Sequence, residues 1–336
     1  MSAPPELGVL LPMAGRGLRA SELLVELTEE VVAAEAAGLD LVLVPEHHTG
    51  PPGSLTAPLT VTAWLLARTS TIRIGTGVLL LPLHPTVRVA EEASLLQQAS
   101  GGRLLLGVGA GYQSADFDLF GVDRRNRTSL LEEALADLRA MWAGQPVGGS
   151  VVRPSLDGAS PPPLWLGAWS PAGVRRAAKL ADGWIGDPVR TSDELAAMAA
   201  MYRSARHAGG SGRVVVLREG FVDTSTEAAR LTYGPAVSAV YRFYLRNGAF
   251  PARSGVSERD LSFEGALRER VVVGSSLEVA EQLAGIVQRT GADAVVLALR
   301  HPGGPSHDQV LAAIRRLGTE VRPLLQERLE STKGTA

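Results

Sequence analysis

Short apolar runs alternate with longer stretches of helical periodicity along almost the whole chain. The short runs are rich in Val, Ile and Leu, whereas the longer stretches are rich in Ala, Leu, Glu and Arg. Such an alternation predicts parallel β-strands joined by helices. The predicted strands are residues 7–12, 40–44, 72–80, 103–109, 164–168, 183–185, 213–222 and 293–299.

Eight predicted strands, each followed by a predicted helix, fit a (β/α)8 TIM barrel. A doubly wound open sheet would show the same alternation, but the number of units favours the barrel. We expect one barrel domain over residues 1–330 and a C-terminal tail at 331–336. Ser192 and Ser276 are predicted to cap two of the helices. The predicted helices are residues 20–37, 59–68, 86–100, 127–142, 172–180, 192–206, 226–246, 277–289 and 307–326.

Two segments do not fit the repeating unit and are predicted insertions. Residues 144–163 are rich in Gly, Pro and Ser, which indicates a surface excursion before the fifth strand. Residues 223–271 follow the seventh strand, so they are a candidate lid or substrate wall beside the barrel mouth. Packing against the barrel or against a second subunit explains them equally well. The aromatic residues of this second insertion include Tyr241, Phe243, Tyr244, Phe250 and Phe263.

The composition excludes several classes of function. The chain has no cysteine, so disulfides, Cys-ligated zinc, iron–sulfur clusters and thiol catalysis are excluded. Its 33 basic and 35 acidic side chains give a formal charge of −2, which provides no overall attraction to nucleic acid or anionic lipid. The sequence shows neither a secretion-signal pattern nor a run of about 18 apolar residues. We therefore expect a cytoplasmic protein without a nucleic-acid or membrane partner.

Histidines cluster in the segments that follow predicted strands. His47, His48, His84 and His301 are four of the six histidines, and in a barrel these segments meet at one mouth. Since histidine titrates near neutral pH, a general base or hydrogen-bond donor is expected at residues 47–48, with the other histidine bonded to a loop carbonyl. Adjacent imidazoles rarely reach one ion, and no His-Glu-x-x-His spacing occurs, so no metal site is predicted.

Two further segments offer ligand contacts. Gly107-Val-Gly109-Ala110-Gly111-Tyr112 lacks the last glycine and the helix start of a dinucleotide loop, but its glycines allow a planar ligand to approach the backbone. Trp169-Ser170-Pro-Ala-Gly173 lies at the start of a predicted helix. There the Ser170 hydroxyl and free N–H groups can hold a phosphate, although an ordinary helix N-cap explains the same residues.

Several short motifs follow one another in order along the first half of the chain. They are RIGTGVLLLP at 73–82, His84-Pro85, GRLLLGVGAG at 102–111, and Asp-Phe-x-x-Phe-Gly at 116–121. With Glu46-His47-His48, they resemble the bacterial luciferase-like flavin monooxygenases. The resemblance covers nearly the whole chain apart from the two insertions.

The resemblance implies a fold, an activity and a set of partners. It implies a TIM barrel that binds reduced FMN at the C-terminal mouth and uses O2 to oxygenate a small organic substrate through a flavin C4a-peroxide. A separate flavin reductase would supply the electrons, and we expect a homodimer. A related alternative is an F420-dependent oxidoreductase, which transfers hydride without O2. An alternative from another class is a non-catalytic flavin-binding subunit.

The resemblance also assigns roles to individual residues. His47 matches a histidine with an acid–base role, and Gly77–Val78 matches a non-prolyl cis peptide behind the flavin ring. Ala110 and Gly109 stand where luciferase has a phosphate-binding arginine and a reactive cysteine, so Arg127 is an alternative phosphate ligand and light emission is not expected. The implied cofactor-binding residues are Gly77, Val78, Gly109, Ala110, Gly111, Tyr112, Trp169, Ser170 and Gly173.

Overall fold

The computed structural model describes residues 4–15, 17–50, 54–156, 158–206, 212–250 and 254–333. In this part of the chain the strands all pair in parallel within one sheet. They are β1 (Glu6–Leu10), β2 (Leu41–Val44), β3 (Arg73–Leu80), β4 (Leu104–Gly109), β5 (Leu164–Gly167), β6 (Gly183–Gly186), β7 (Arg213–Val222), β8 (Val271–Gly274) and β9 (Ala294–Ala298).

The sheet closes into an eight-stranded barrel. The strands follow in the order β6, β5, β4, β3, β2, β1, β9 and β7, and the pairing of β6 with β7 closes the ring. This confirms the predicted (β/α)8 TIM barrel and excludes the open sheet. The strand β8, which was predicted to lie partly in the second insertion, lies outside the ring. It pairs with the carboxyl-terminal half of β7, its one partner strand in the described part of the chain.

Strand alternation divides the apolar core into two layers. Leu41 and Leu43 point into the barrel with Leu105, whereas Val42 and Val44 pack outward against the helices. The outer layer is much the larger, because eleven helices surround the ring in the described residues. They are α1 (Ala20–Ala36), α2 (Pro58–Leu66), α3 (Thr86–Ala99), α4 (Ser114–Phe120), α5 (Arg127–Trp142), α6 (Pro171–Leu180), α7 (Ser192–Ala205), α8 (Thr226–Arg246), α9 (Ser276–Thr290), α10 (His307–Arg316) and α11 (Arg322–Lys333).

Several helix boundaries differ from the predictions by one or two residues, and one predicted helix is divided. The caps of α7 and α9 are Thr191 and Ser275, one residue earlier than predicted, and both form capping boxes. A π-helical turn at Leu317–Val321 separates α10 from α11, where Gly318 packs so closely that an added Cβ would lie 2.1 Å from the Ala37 carbonyl oxygen. The short helix α4 was not predicted.

The second insertion is mainly the helix α8, which packs against the barrel. Tyr233 and Tyr241 of α8 are fully buried. The segment after α8 includes residues 251–253, which lie outside the described residues, as do 334–336 of the predicted tail. The single domain over residues 1–330 stays a prediction. In the part of the chain described, no helix combines the length and apolar character needed to cross a bilayer.

Candidate active site

A cavity of about 350 Å³ opens at the carboxyl-terminal end of the barrel strands. Segments that follow β2, β4, β5 and β6 contribute most of its wall, together with β3, α5 and α8. All ten residues that sequence analysis assigned to the site line this one cavity, which is where (β/α)8 enzymes carry their active sites. They are His47, Gly77, Val78, Gly109, Ala110, Gly111, Tyr112, Trp169, Ser170 and Gly173.

Small residues surround Val78 on the cavity floor. The Gly77–Val78 peptide bond is cis, as the family resemblance implied. A Cβ added at Gly109 or Gly167 would lie 2.7 or 2.8 Å from a methyl carbon of Val78. Gly109 therefore leaves space for the Val78 side chain, and its contact with a ligand stays a prediction. Gly111 has a φ of 73°, a conformation that favours glycine.

Glu46 organises the loop after β2 through a buried carboxylate. Its Oε1 accepts hydrogen bonds from Nε2 of His48 and His84 at 2.6 and 2.7 Å, and its Oε2 accepts one from the Leu80 N–H at 2.5 Å. Burial acts to raise the pKa of Glu46, but these three donors outweigh it and lower the pKa to about 2. The Glu46 bond in turn raises the pKa of His48. His48 is thus the structural histidine, held by a carboxylate rather than by the expected carbonyl.

His47 has a different environment from His48. Nε2 of Gln113 lies 3.0 Å from Nδ1 of His47. Because an amide NH2 group only donates, Nδ1 accepts and the neutral imidazole carries its proton on Nε2. Burial lowers the pKa of His47, against the opposing effect of the Asp116 and Glu46 carboxylates. His47 is therefore a neutral donor at the cavity wall around pH 7.

Asp116 fixes the backbone next to His47. Its buried Oδ1 lies 3.4 and 3.3 Å from the N–H groups of His48 and Thr49 and 3.2 Å from the Thr49 hydroxyl. Asp116 belongs to α4, and Gln113 precedes that helix. Neither residue was predicted from the sequence to position the site. The sequence signal that could have found them is their position directly after the fourth strand, because the segments after the second and fourth strands meet at the barrel mouth.

Tyr112 provides a polar group with no protein partner in the described ranges. Its hydroxyl oxygen is buried and makes no hydrogen bond to the rest of the described chain. Burial, with a smaller effect of Asp116, raises the pKa of Tyr112 to about 12, so the hydroxyl stays protonated. The ring packs 4.9 Å from that of Trp169, centroid to centroid. A ligand in the cavity can therefore supply the partner that this hydroxyl lacks.

The start of α6 forms the basic end of the cavity. The Ser170 hydroxyl oxygen accepts a hydrogen bond of 3.1 Å from the Gly173 N–H, so Ser170 is an ordinary N-cap in this structure. Arg127 from α5 and Arg176 from α6 line the same cavity, and Arg176 pairs with Glu132. Two guanidinium groups beside a helix N-terminus suit an anionic group such as a phosphate.

A second buried carboxylate connects α8 to the barrel. Glu219 of β7 accepts hydrogen bonds from the hydroxyls of Tyr233 and Tyr244, each at 3.0 Å, and from His301 Nε2 at 2.6 Å. Tyr244 also lines the cavity, so the insertion does contribute to its wall. Burial raises the pKa of Tyr244 well above its usual value, which keeps the hydroxyl neutral. Glu219 was not predicted to contribute to the site; the signal was a glutamate near the carboxyl-terminal end of a largely apolar strand that also carries Arg213 and Arg218.

One group of potential metal ligands lies outside the cavity. Glu26, Glu30 and His307 come together between α1 and α10. Arg300 already pairs with both carboxylates, at 2.5 Å to Glu26 and 2.7 Å to Glu30. The Arg300 guanidinium therefore supplies the positive charge that balances these carboxylates. That the protein uses no metal stays a prediction.

A parallel eight-stranded barrel with a cavity at the carboxyl-terminal end of its strands is an architecture that many classes of enzyme share. Comparison with known proteins identifies the family. The chain belongs to the luciferase-like monooxygenase family, whose model matches residues 6–294. A solved structure, the monooxygenase RslO1 from Streptomyces bottropensis, has the same fold with a TM-score of 0.81. It is 20% identical, and the match covers 95% of this chain and 99% of that one.

Two curated relatives differ in their named activities. The chain is 38% identical over 99 residues to an alkanal monooxygenase alpha chain of Photorhabdus luminescens, covering 30% of this chain and 27% of the relative. It is 34% identical over 176 residues to an F420-dependent glucose-6-phosphate dehydrogenase of Beutenbergia cavernae, covering 48% and 52%. The matched segments thus span between about a quarter and a half of these relatives.

Proposed function

We propose that this chain is an FMN-dependent monooxygenase that takes reduced flavin and O2 and oxygenates a small organic substrate. The observation that carries the proposal is the single cavity that combines neutral His47, the unpartnered Tyr112 hydroxyl and two arginines at its basic end. The match of Glu46-His47-His48 to the luciferase pattern favours FMN over other flavins.

The cavity residues suit the parts of FMN. Ser170, Gly173, Arg127 and Arg176 would hold its phosphate, because positive charge and helix N–H groups meet there. The ring system would lie over the Gly77–Val78 floor, within reach of the Tyr112 hydroxyl. When bound, reduced FMN would supply the electrons that activate O2.

The protein's own contribution is proton control and exclusion of water. His47 keeps its proton on Nε2, because Gln113 donates to Nδ1, so it can donate to a ligand in the cavity and take the proton back. Apolar side chains cover much of the remaining wall, which strengthens such hydrogen bonds by excluding water. The apolar lining residues include Leu10, Leu80, Leu131, Leu166, Ile185, Val189 and Leu217.

The proposal includes partners that the cavity itself does not define. A separate reductase is needed because the sequence shows no dinucleotide-binding fingerprint for NAD(P)H. A homodimer and a cytoplasmic location stay predictions. Sedimentation velocity tests whether the protein is a dimer.

An F420-dependent dehydrogenase is the second candidate. The 176-residue match to an F420-dependent enzyme is longer than the 99-residue match to the alkanal monooxygenase chain, and this observation favours it. In that case the cavity would bind reduced or oxidised F420 and transfer hydride to or from the substrate without O2.

Anaerobic titration with reduced FMN and with reduced F420 tests the choice of cofactor. We expect reduced FMN to bind and reduced F420 to bind poorly. Gly173→Leu should weaken FMN binding, since a Cβ at Gly173 already lies 3.0 Å from that of Ala168. Ala197→Leu, an exposed position on α7, is the matched control. Tight binding of F420 with no binding of FMN would replace the proposal by the second candidate.

A further inference from the structure

A second pocket, of about 170 Å³, lies on the outside of the barrel beside β7, β8, α7 and α9. Arginine is the commonest residue in its wall, and we call it the arginine pocket. Its acidic lining residues, Asp193 and Glu269, are both exposed to solvent. The arginines that line it are Arg218, Arg268, Arg270 and Arg289.

Arg218 lies at the base of the arginine pocket and is poorly satisfied. It follows Leu217, which faces the barrel cavity, so strand alternation directs Arg218 outward. Its side chain is 1% exposed, and its Nε has no partner among the residues described. Its contacts to the Asp187 carbonyl and the Ser192 hydroxyl are both long, at 3.4 Å. A buried guanidinium with unused donors favours a ligand that can accept them.

The buried charges around Arg218 do not balance. Asp187 is the buried carboxylate nearby, and its side chain is already paired with Arg190. Arg270 is 7% exposed and donates to two neutral groups, the carbonyls of Val189 and Ala266, at 2.6 and 2.8 Å. Neither Arg218 nor Arg270 has a carboxylate within 4.0 Å in the described part of the chain. Two buried positive charges are therefore left without a counter-ion.

The exposed residues at the rim do not supply that counter-ion. Asp193 is 87% exposed on its side chain and lies 4.0 Å from Arg289, at the limit of an ion pair. Burial lowers the pKa of Arg218, and the like charges of Arg270 and Arg289 add to this effect against the opposing carboxylate of Asp187. The two exposed carboxylates are matched by two exposed arginines, Arg268 and Arg289, so the excess of positive charge lies at the buried base of the pocket.

We propose that the arginine pocket binds a small dianion of the phosphate type, either inorganic phosphate or the phosphate group of a monoester. A phosphate carries about −1.5 to −2 charges near pH 7, which matches the two unpaired buried guanidinium groups. Guanidinium groups bind phosphate oxygens through paired N–H donors, and pairing removes the cost of a buried lone charge.

The arginine pocket is connected to the candidate active site by one loop. Arg270 donates to the Val189 carbonyl, and Val189 lines the barrel cavity. Arg268 and Arg270 lie at the end of the second insertion, whereas Ser192 begins α7. A bound dianion would therefore join the end of the insertion to the loop between β6 and α7. This site is separate from the phosphate site proposed at Ser170, so the two proposals fail independently.

Calorimetric titration of the full chain with inorganic phosphate, at constant ionic strength, tests the proposal. Arg268→Gln, an exposed change that should fold normally, is expected to weaken phosphate binding at least about tenfold, as loss of a charged hydrogen bond does. Arg218→Met should abolish binding at this pocket. Arg153→Gln, an exposed arginine of the first insertion, is the matched control, and Arg176→Gln reports phosphate bound in the barrel cavity instead.

Each possible binding result either supports the proposal or overturns it. Binding that is lost in Arg218→Met and retained in Arg176→Gln and Arg153→Gln supports the proposal, and glycerol 3-phosphate binding equally well would extend it to monoesters. If glycerol 3-phosphate does not bind, the site takes the free ion. The proposal is overturned if phosphate does not bind, if Arg268→Gln and Arg218→Met bind it as the parent does, or if malonate binds as tightly as phosphate.

Discussion

Two buried carboxylates at the barrel wall have similar partners but different functions in the structure. Glu46, after β2, holds the imidazoles of His48 and His84, from the segments after β2 and β3, and the N–H of Leu80, the last residue of β3. Glu219, in β7, holds one imidazole and two tyrosine hydroxyls from the insertion helix α8. In the ring, β1 and β9 separate β2 from β7.

The difference lies in the charge of the donors. Glu46 and His48 shift each other's pKa values apart, so this cluster is an ion pair that holds the loop beside His47. The tyrosines of the Glu219 cluster are neutral, because burial raises their pKa values. The first cluster therefore fixes the loop that carries His47, whereas the second fixes the part of the cavity wall that contains Tyr244.

The largest expected effect follows from removal of the Glu46 carboxylate. Glu46→Ala would leave His48, His84 and the Leu80 N–H without their acceptor, and we expect a loss of about 3–5 kcal/mol in the free energy of unfolding, as for other broken buried ion pairs. Urea denaturation measures it. Glu133→Gln, an exposed change on α5, should alter stability by less than about 0.5 kcal/mol. A loss below 1 kcal/mol in Glu46→Ala would contradict the role of this cluster.

The second largest expected effect is on the pH dependence of stability, which distinguishes the Glu46 cluster from the Glu219 cluster. The pKa of Glu46 falls from 4.5 to about 2 on folding, so its contribution is present above pH 4.5 and is lost as pH falls towards 2. This corresponds to roughly 3 kcal/mol. The raised pKa of His48 adds stability that is complete below pH 6.5 and is lost as pH rises through its folded value. When the free energy of unfolding is measured from pH 2.5 to 8, its rise between pH 2.5 and 4.5 should be less steep in Glu46→Gln than in the parent protein. An unchanged slope in this range would exclude the ion pair.

The smallest effects distinguish the two tyrosines of the second cluster. The Tyr233 hydroxyl contacts Glu219, the Ala298 carbonyl and His301. Among the residues described, the Tyr244 hydroxyl contacts only Glu219. We expect Tyr233→Phe to cost about 1–3 kcal/mol and Tyr244→Phe about 0.5–1.5 kcal/mol. Only Tyr244→Phe should also change ligand binding, since Tyr244 lines the cavity. Equal effects of both variants on stability and binding would show that the two tyrosines act alike.

The barrel was predictable because each of its strands is a local apolar run. The strand β8 was missed because Val271 was assigned to the second insertion, and because β8 lies outside the ring and so has no place in the eight-unit repeat. The glycine-rich and histidine-rich segments were found because their residues are close in sequence. Asp116 and Glu219 were not, because their partners lie 68 and 82 residues away and become neighbours only when the barrel closes.

In the proposed function, the cavity binds reduced FMN and uses His47 in its reaction with O2. Rapid mixing of the anaerobic protein–FMN complex with O2 tests it directly, with the rate of flavin oxidation as the readout. We expect the bound flavin to react at a rate different from free flavin, and His47→Ala to bind flavin normally but lose about 10²–10⁴-fold in turnover of any substrate found. Oxidation at the rate of free flavin, unchanged in His47→Ala, would contradict the account and favour a non-catalytic flavin-binding subunit.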